Sequence, residues 1–361
     1  MTVLGVASAA DLLRLFVVPA FAWAAYRDVL TRRLPNKLWP PLLAVGVVAL
    51  ALDVLRFAPF TGYESRLFLV RVGFALLFLV PFSLLAYRLA AFGGADTKAL
   101  IVLAVTYPAT PEYVVPLWLL PETSWLHTAV FPLHPSALGV TAMSALTNAV
   151  LFGLLYVVHI GVRNAVAGRF SPAMFVGTPT AVSRLPDRHG SLLDTDGAVP
   201  TRGLDLDALR MYLRWRGCTL AELRRDPAAH RDPTSVGATN DPTDGAVDAD
   251  VPDVAETTPR PDGGAPTDDA AAVDAAVESA ADGVAAEDDP WAADRFLAEI
   301  SGTAYGTTPE TLREGLDRLA ERDVVWVSPG LPFVAPLFAG LVVALTYGDV
   351  LTELLRLVGV L

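Results

Sequence analysis

The sequence predicts an all-α, polytopic membrane protein of about six transmembrane helices, with a long, partly disordered cytoplasmic insert before the last helix. Three observations carry that prediction. The chain of 361 residues is 53% hydrophobic and only 18% charged, with a mean hydropathy of +0.44, whereas a soluble domain carries about 25% charged residues. Several apolar windows approach the roughly 20 residues that a helix needs to cross the hydrocarbon core. The net charge of −12, finally, is confined to one stretch. Residues 232–294 hold 17 Asp or Glu and a single basic residue, Arg260, for a charge of −16; the remainder is mildly basic, at +4. The apolar content excludes an acidic, disordered chain.

The apolar windows run over residues 12–26, 38–55, 72–87, 99–107, 137–160 and 331–347. The fourth is short or broken, because Pro108, Pro111 and Glu112 interrupt it before it resumes over 114–120. Irregular backbone at membrane depth is tolerated only where protein or water covers it. Loop charges set the orientation. Arg27, Arg32, Arg33 and Lys37 follow the first window, Arg88 and Lys98 flank the loop after the third, and Arg163 and Arg169 follow the fifth. The opposite loops carry Arg56, Arg66 and Arg71, and then no Arg or Lys from Thr110 to Ser136. The N-terminus is therefore expected outside a multi-pass plasma-membrane protein, with the Asp28 loop, the Asp96 loop and the insert in the cytoplasm. Residues 1–10 contain no basic run, so a cleaved secretory signal is not expected.

Five segments are expected: a membrane domain over 1–160, a partly structured cytoplasmic segment over 161–231, an acidic disordered insert over 232–290, a cytoplasmic helical segment over 291–328, and the last span and tail over 329–361. Leu206, Leu209 and Leu213 have helical spacing. Thr308, Pro309 and Glu310 form a helix start, with Leu312, Leu316 and Leu319 marking its buried face. Residues 232–290 are Asp, Ala, Pro, Gly and Thr with almost no large apolar side chains, too few to offset the entropy of ordering. One cysteine, Cys218, excludes a disulfide framework and any CxxC zinc module. Lys occurs only at Lys37 and Lys98 against 25 Arg; this Asp-rich, Lys-poor composition is that of a salt-loving cell.

Ionisable residues in or beside spans are functional candidates: here Asp11, Arg14, Asp28, Asp53, Asp96, His159 and Asp349. Asp28 and Asp96 stand apart, because loop charges put both at the cytoplasmic side, where they can meet. Two carboxylates held close cannot both ionise easily, which leaves one as an acid and the other as a base near neutral pH. Such a pair can activate a water against a peptide carbonyl and protonate the leaving amine. Gly93 and Gly94 remove side chains beside Asp96 and make a positive φ cheap. No metal ligands cluster and no Ser/His or Cys/His nucleophile pair presents itself, so no cofactor and no metal is expected, nor a nucleic-acid partner. Taken singly, each residue also has a plainer reading. Asp28 would serve as counter-ion to Arg32 or Arg33, and Gly93-Gly94 as a turn. Asp53 and Asp349 would be solvated at outer span ends, Arg14 would snorkel to the outer interface, and His159 would be a hydrogen-bonded span-end residue.

The run from Asp28 through Thr31-Arg32-Arg33-Leu34-Pro35-Asn36 resembles the first catalytic motif of type IV prepilin peptidases, an Asp followed by basic residues and Leu-Pro-Asn. Gly93-Gly94-Ala95-Asp96 with Lys98 resembles the second, GxGD followed by Lys, with Ala95 at the position where Gly is usual. That replacement and the segment Trp326–Phe333 are similar to the archaeal preflagellin/prepilin peptidase branch. The resemblance covers residues 10–160 and 320–345, and its motifs are specific as an ordered pair. It implies a GxGD-type membrane aspartic endopeptidase that removes the short basic leader, the class III signal peptide, from archaellin and type IV pilin-like precursors at the cytoplasmic face. Asp28 and Asp96 would be the catalytic pair, with Gly93, Gly94, Ala95, Lys98, Pro35 and Asn36 in support; the partners would be those precursors and membrane lipids, in a halophilic archaeon. The single cysteine lacks the zinc motif that accompanies methylation in the bacterial branch.

A transporter or channel with a site at the broken fourth span is the alternative, although both aspartates fall at span ends. A presenilin-like protease would need nine spans. The acidic insert is expected to act as a solubilising spacer, because at about 1 M salt the Debye length of ~3 Å abolishes long-range steering of a basic leader.

Overall fold

The computed structural model describes all residues except 1, 4, 90, 115–128, 196, 198, 248–288, 301–303, 331 and 361. Strands β1 (Thr2–Val3) and β2 (Ala7–Ser8) form a short antiparallel pair. Ser8 then caps α1 (Ala9–Leu15), its Oγ accepting the Asp11 N–H at 3.1 Å. α2 (Val17–Thr31) continues the run and ends at Arg32, whose left-handed φ of 56° turns its N–H back to the Asp28 carbonyl at 3.0 Å. A single 3₁₀ turn, Asn36–Leu38, leads into α3 (Trp39–Phe57). α4 (Tyr63–Phe74) passes through a π turn, Ala75–Leu79, into α5 (Val80–Arg88). α6 (Gly94–Thr106) stops two residues short of Pro108. β3 (Tyr113–Val114) pairs with β4 (Val130–Phe131), and α7 (Thr141–Val166) follows.

Among the described residues, four helical runs are long and apolar enough to cross a membrane: Ala9–Thr31, Asn36–Phe57, Tyr63–Arg88 and Thr141–Val166. The expected fourth span is realised in its first half as the 13-residue α6; residues 115–120 of its second half lie outside the described residues.

From Pro172 the chain builds β5 (Thr178–Ala181), β6 (Ser191–Asp194), β7 (Thr201–Asp205), α8 (Leu206–Arg216), α9 (Leu220–Arg225), α10 (Pro227–Arg231), α11 (Ala293–Glu299), α12 (Pro309–Glu321) and β8 (Val324–Ser328). The last two elements are α13 (Val334–Thr346) and α14 (Val350–Leu357). These divide into two compact units, residues 1–158 with 331–361, and residues 159–330.

The second unit departs from the all-α expectation. Its four strands form an antiparallel sheet in the order β5-β8-β6-β7. Each strand is only four or five residues long, and Val324–Ser328 reads in sequence as a continuation of the apolar run that follows it. Tyr212, Trp215, Trp291 and Phe296 help fill the core, where the rings of Tyr212, Trp215 and Phe296 lie with centroids 5.4–5.9 Å apart. Thr308 caps α12, where Pro309 supplies the preset φ of a first helical residue. The expected disorder over 232–290 falls mainly on residues outside those described, but 239–247 is ordered against α8. Arg210 Nε donates to the Gly245 carbonyl at 2.5 Å and Arg214 Nη2 to the Ala246 carbonyl at 3.0 Å. Two arginines holding main-chain carbonyls supply the order that the segment's own side chains lack.

In the first unit the core is built by Phe21, Trp39, Leu79, Leu103, Tyr107 and Leu341. Two glycines set its closest approaches: a Cβ on Gly46 would stand 2.4 Å from Thr106 Oγ1, and one on Gly340 2.3 Å from the Ala145 carbonyl oxygen. Close backbone approach through small residues is how helices gain packing energy in lipid, where no hydrophobic force draws them together.

Candidate active site

The buried positions of α2 are Val17, Phe21, Ala24, Ala25 and Asp28. They recur at helical spacing, so the stripe that seats α2 in the core carries a carboxylate into the interior at its last turn. Asp28 is 6% exposed. Its Oδ2 accepts the N–H of Val334 at 3.3 Å. Val334 is the first residue of α13, so this N–H has no acceptor within its own helix and carries part of the positive end of the helix dipole.

Asp96 lies in the first turn of α6, ahead of the apolar run. Its Oδ2 accepts the Gly93 N–H at 3.0 Å, and Thr97 Oγ1 donates to the Gly93 carbonyl at 3.0 Å. Its carboxyl is pushed up to about 6, first by burial; the Gly93 hydrogen bond opposes the rise, the charge of Asp28 adds to it, and Arg32 subtracts from it. The charge of Asp28 thus reaches Asp96. The loops that bear them are also joined directly, Lys98 Nζ donating to Asn36 Oδ1 at 2.6 Å.

The remaining motif residues have separate tasks. Pro35, in the extended region, opens the Asn36–Leu38 turn that presents Asn36. Ala95 packs against the apolar core. Gly93 has an ordinary φ of −73°, so the expected need for a positive φ is not what selects glycine there. Space is: a Cβ on Gly93 would stand 3.2 Å from Asp96 Oδ2, whereas one on Gly94 would meet only Tyr87 at 3.9 Å. Sequence reasoning missed Val334, whose contribution is a backbone N–H with no side-chain signature. It also missed Phe92 and Phe333, which stack at 4.8 Å beside Gly93 and Val334.

The other ionisable candidates do different work. Arg14, expected to snorkel, and Asp53, expected to be solvated, form a buried triad with Asp11: the three are 2%, 4% and 5% exposed. Arg14 Nη1 meets Asp11 at 2.6 Å, Nη2 meets Asp53 at 2.5 Å, and Nε donates to the Thr106 carbonyl at 2.6 Å. The triad ties α1, α3 and α6 together, and a guanidinium with three acceptors is satisfied where it stands, so it has no reason to reach for water. Asp349, also buried, caps α14 by accepting the Thr352 N–H at 2.8 Å. His159 is exposed on α7. Among the described residues, no group of three or more His, Cys, Asp or Glu is placed to hold a metal ion.

Four apolar helical runs among the described residues fit a membrane protein, and its first unit carries Asp28 at the end of α2 and Asp96 at the start of α6. Residues 15–158 match the type IV leader peptidase family, and residues 282–350 match the archaeal peptidase A24 C-terminus, type II. The two matches take in more than half of the chain, which belongs to the type IV leader peptidase family, in its archaeal prepilin/preflagellin branch. They meet at the site, since Val334 in the second holds Asp28 in the first. No curated protein and no solved structure matches the chain.

Proposed function

We propose that this leader peptidase is an aspartic endopeptidase that removes the short basic leader from archaellin and type IV pilin-like precursors, with Asp28 and Asp96 as its catalytic pair. The observation that carries the reading is the Lys98–Asn36 hydrogen bond, which ties the two motifs bearing Asp28 and Asp96 together. In its active form the pair holds one proton. The ionised carboxylate takes a proton from water as the water oxygen bonds to the scissile carbonyl carbon. The protonated carboxyl gives its proton to the carbonyl oxygen. As the tetrahedral intermediate collapses, the C–N bond breaks, a carboxyl proton passes to the leaving amine, and a hydroxyl proton of the intermediate returns to the other carboxylate. The Gly93 and Val334 N–H groups hold one oxygen of each carboxylate.

The loop-charge asymmetry supports a multi-pass arrangement with the site at the cytoplasmic face and the N-terminus outside. On this reading α6 and α13 complete a six-span bundle. They are shorter than the four long runs because protein rather than lipid surrounds much of each. The experiment is cleavage of a pilin or archaellin precursor by the purified full chain in liposomes. Product shortened by the leader is expected from the wild type and absent with Asp28→Asn or Asp96→Asn at equal folded protein; normal processing by either variant would overturn the assignment.

A further inference from the structure

Among the four long helical runs, Tyr63–Arg88 is the least buried. One side of it carries an unbroken line of aromatic rings. Phe74 stacks on Phe78 with centroids 4.9 Å apart, and Phe78 on Phe82 at 6.1 Å; Phe82 meets Phe92 edge to face at 6.1 Å, and Phe92 stacks on Phe333 at 4.8 Å. In a regular α-helix, residues four apart drift around the axis by about 40°. The wider π turn at Ala75–Leu79 reverses that drift once, so Phe74, Phe78 and Phe82 stay in line. Phe78 and Phe82 are 47% and 39% exposed on the outer surface of the unit. The inner end of the line is at the candidate site: Phe92 precedes Gly93, which holds Asp96, and Phe333 precedes Val334, which holds Asp28.

We propose that this strip is the docking surface for the apolar helix that follows the scissile bond of a prepilin-type substrate. The inference rests on the leader-peptidase reading above and names where the retained part of the substrate lies. A surface of Leu side chains would not distinguish a substrate helix from lipid tails, which are equally apolar; association within a bilayer depends on packing against a shaped, rigid surface. Stacked rings have few rotamers to lose and supply such a surface. From Phe74 to Phe82 the strip follows the span for about 12 Å, or two turns. A helix laid along it brings its own first residues to the aspartates, so the same contact that recognises the apolar segment sets the position of the bond to be cut.

The experiment compares two substrates in liposomes: a full-length precursor, and a short peptide holding the leader and cleavage site but truncated before the apolar helix. Phe78→Ala combined with Phe82→Ala is expected to raise KM for the precursor about tenfold, corresponding to the loss of two aromatic contacts. The same variant should change kcat/KM for the short peptide by less than about twofold, as should Leu77→Ala on the precursor. Leu77 is the control because it is 80% exposed on the same span and outside the ring line. A photo-crosslinking residue at position 82 should capture the precursor helix, and one at 77 should not. Equal losses on both substrates, an unchanged KM for the precursor, or equal capture from 77 and 82 would overturn the proposal. If the wild type cleaves neither substrate, it is the substrate reading itself that fails.

Discussion

The helical run Ala9–Thr31 carries a pair of carboxylate clusters, one near each end, separated by about 20 Å at 1.5 Å per residue. Near its start, Asp11 and Asp53 share the buried guanidinium of Arg14. At its other end, Asp28 accepts the Val334 N–H and Asp96 the Gly93 N–H, and the charges of Asp28 and Arg32 both reach Asp96. Both clusters contain two aspartates drawn from distant parts of the sequence. A buried cation between carboxylates fixes their charge and turns them into a structural tie. Two carboxylates held close cannot both ionise easily, so one of them keeps a proton that can move. Position at a span end does not separate these cases; the partner does.

The contrast can be broken at either end. The largest expected effect is on stability: Arg14→Met leaves two buried carboxylates uncompensated and should lower the unfolding free energy by about 3–5 kcal/mol. Thermal unfolding in detergent measures this, and replacing Asp11 and Asp53 with Leu in the same variant should restore most of the loss. Cleavage per folded molecule should hardly change, because the triad lies far from the site. Next in size is the pH dependence. The proton held at Asp96 leaves near pH 6, so log kcat/KM should fall with a slope of about one per pH unit above that value, and fall again at lower pH where the carboxylate acting as base takes up a proton. The sign follows from burial favouring the neutral form; a profile that rises through pH 6 would contradict it.

Smaller effects sharpen the geometry around Asp96. Gly93→Ala should lower kcat about tenfold, because a 3.2 Å Cβ contact displaces the carboxylate. Gly94→Ala should stay within about twofold of the wild type, as an open surface position does. Lys98→Met removes the hydrogen bond to Asn36, and a loss of a few-fold in kcat is expected, corresponding to about 1 kcal/mol of loop positioning.

Much of this was legible in the sequence, unevenly. The long spans follow from apolar length, and Pro108 marks the end of α6 correctly because proline disfavours helix in the residue before it. The Asp28 and Asp96 motifs stood out as an ordered pair through their resemblance to those of the prepilin peptidases; taken singly, each residue had an equally plain structural reading. The Arg14 triad was not: residues 11, 14 and 53 look like solvated span ends until tertiary packing closes over them. The sheet of the second unit escaped because its strands are short and Val324–Ser328 merges with the apolar run after it. The order at 239–247 depends on Arg210 and Arg214, some 30 residues earlier. Val334 acts through an N–H that any residue but proline would supply.

The central claim is that Asp28 and Asp96 act as one unit, whereas Asp11 and Asp53 act as separate anchors of one cation. It is tested most directly by precursor cleavage with Asp28→Asn, Asp96→Asn and the double variant, at matched amounts of folded protein. Residues that share one proton lose activity together: each single variant should fall by about a thousandfold, and the double variant no further. A single variant that keeps a tenth of the wild-type rate, or a double variant whose loss is the product of the two, would contradict it.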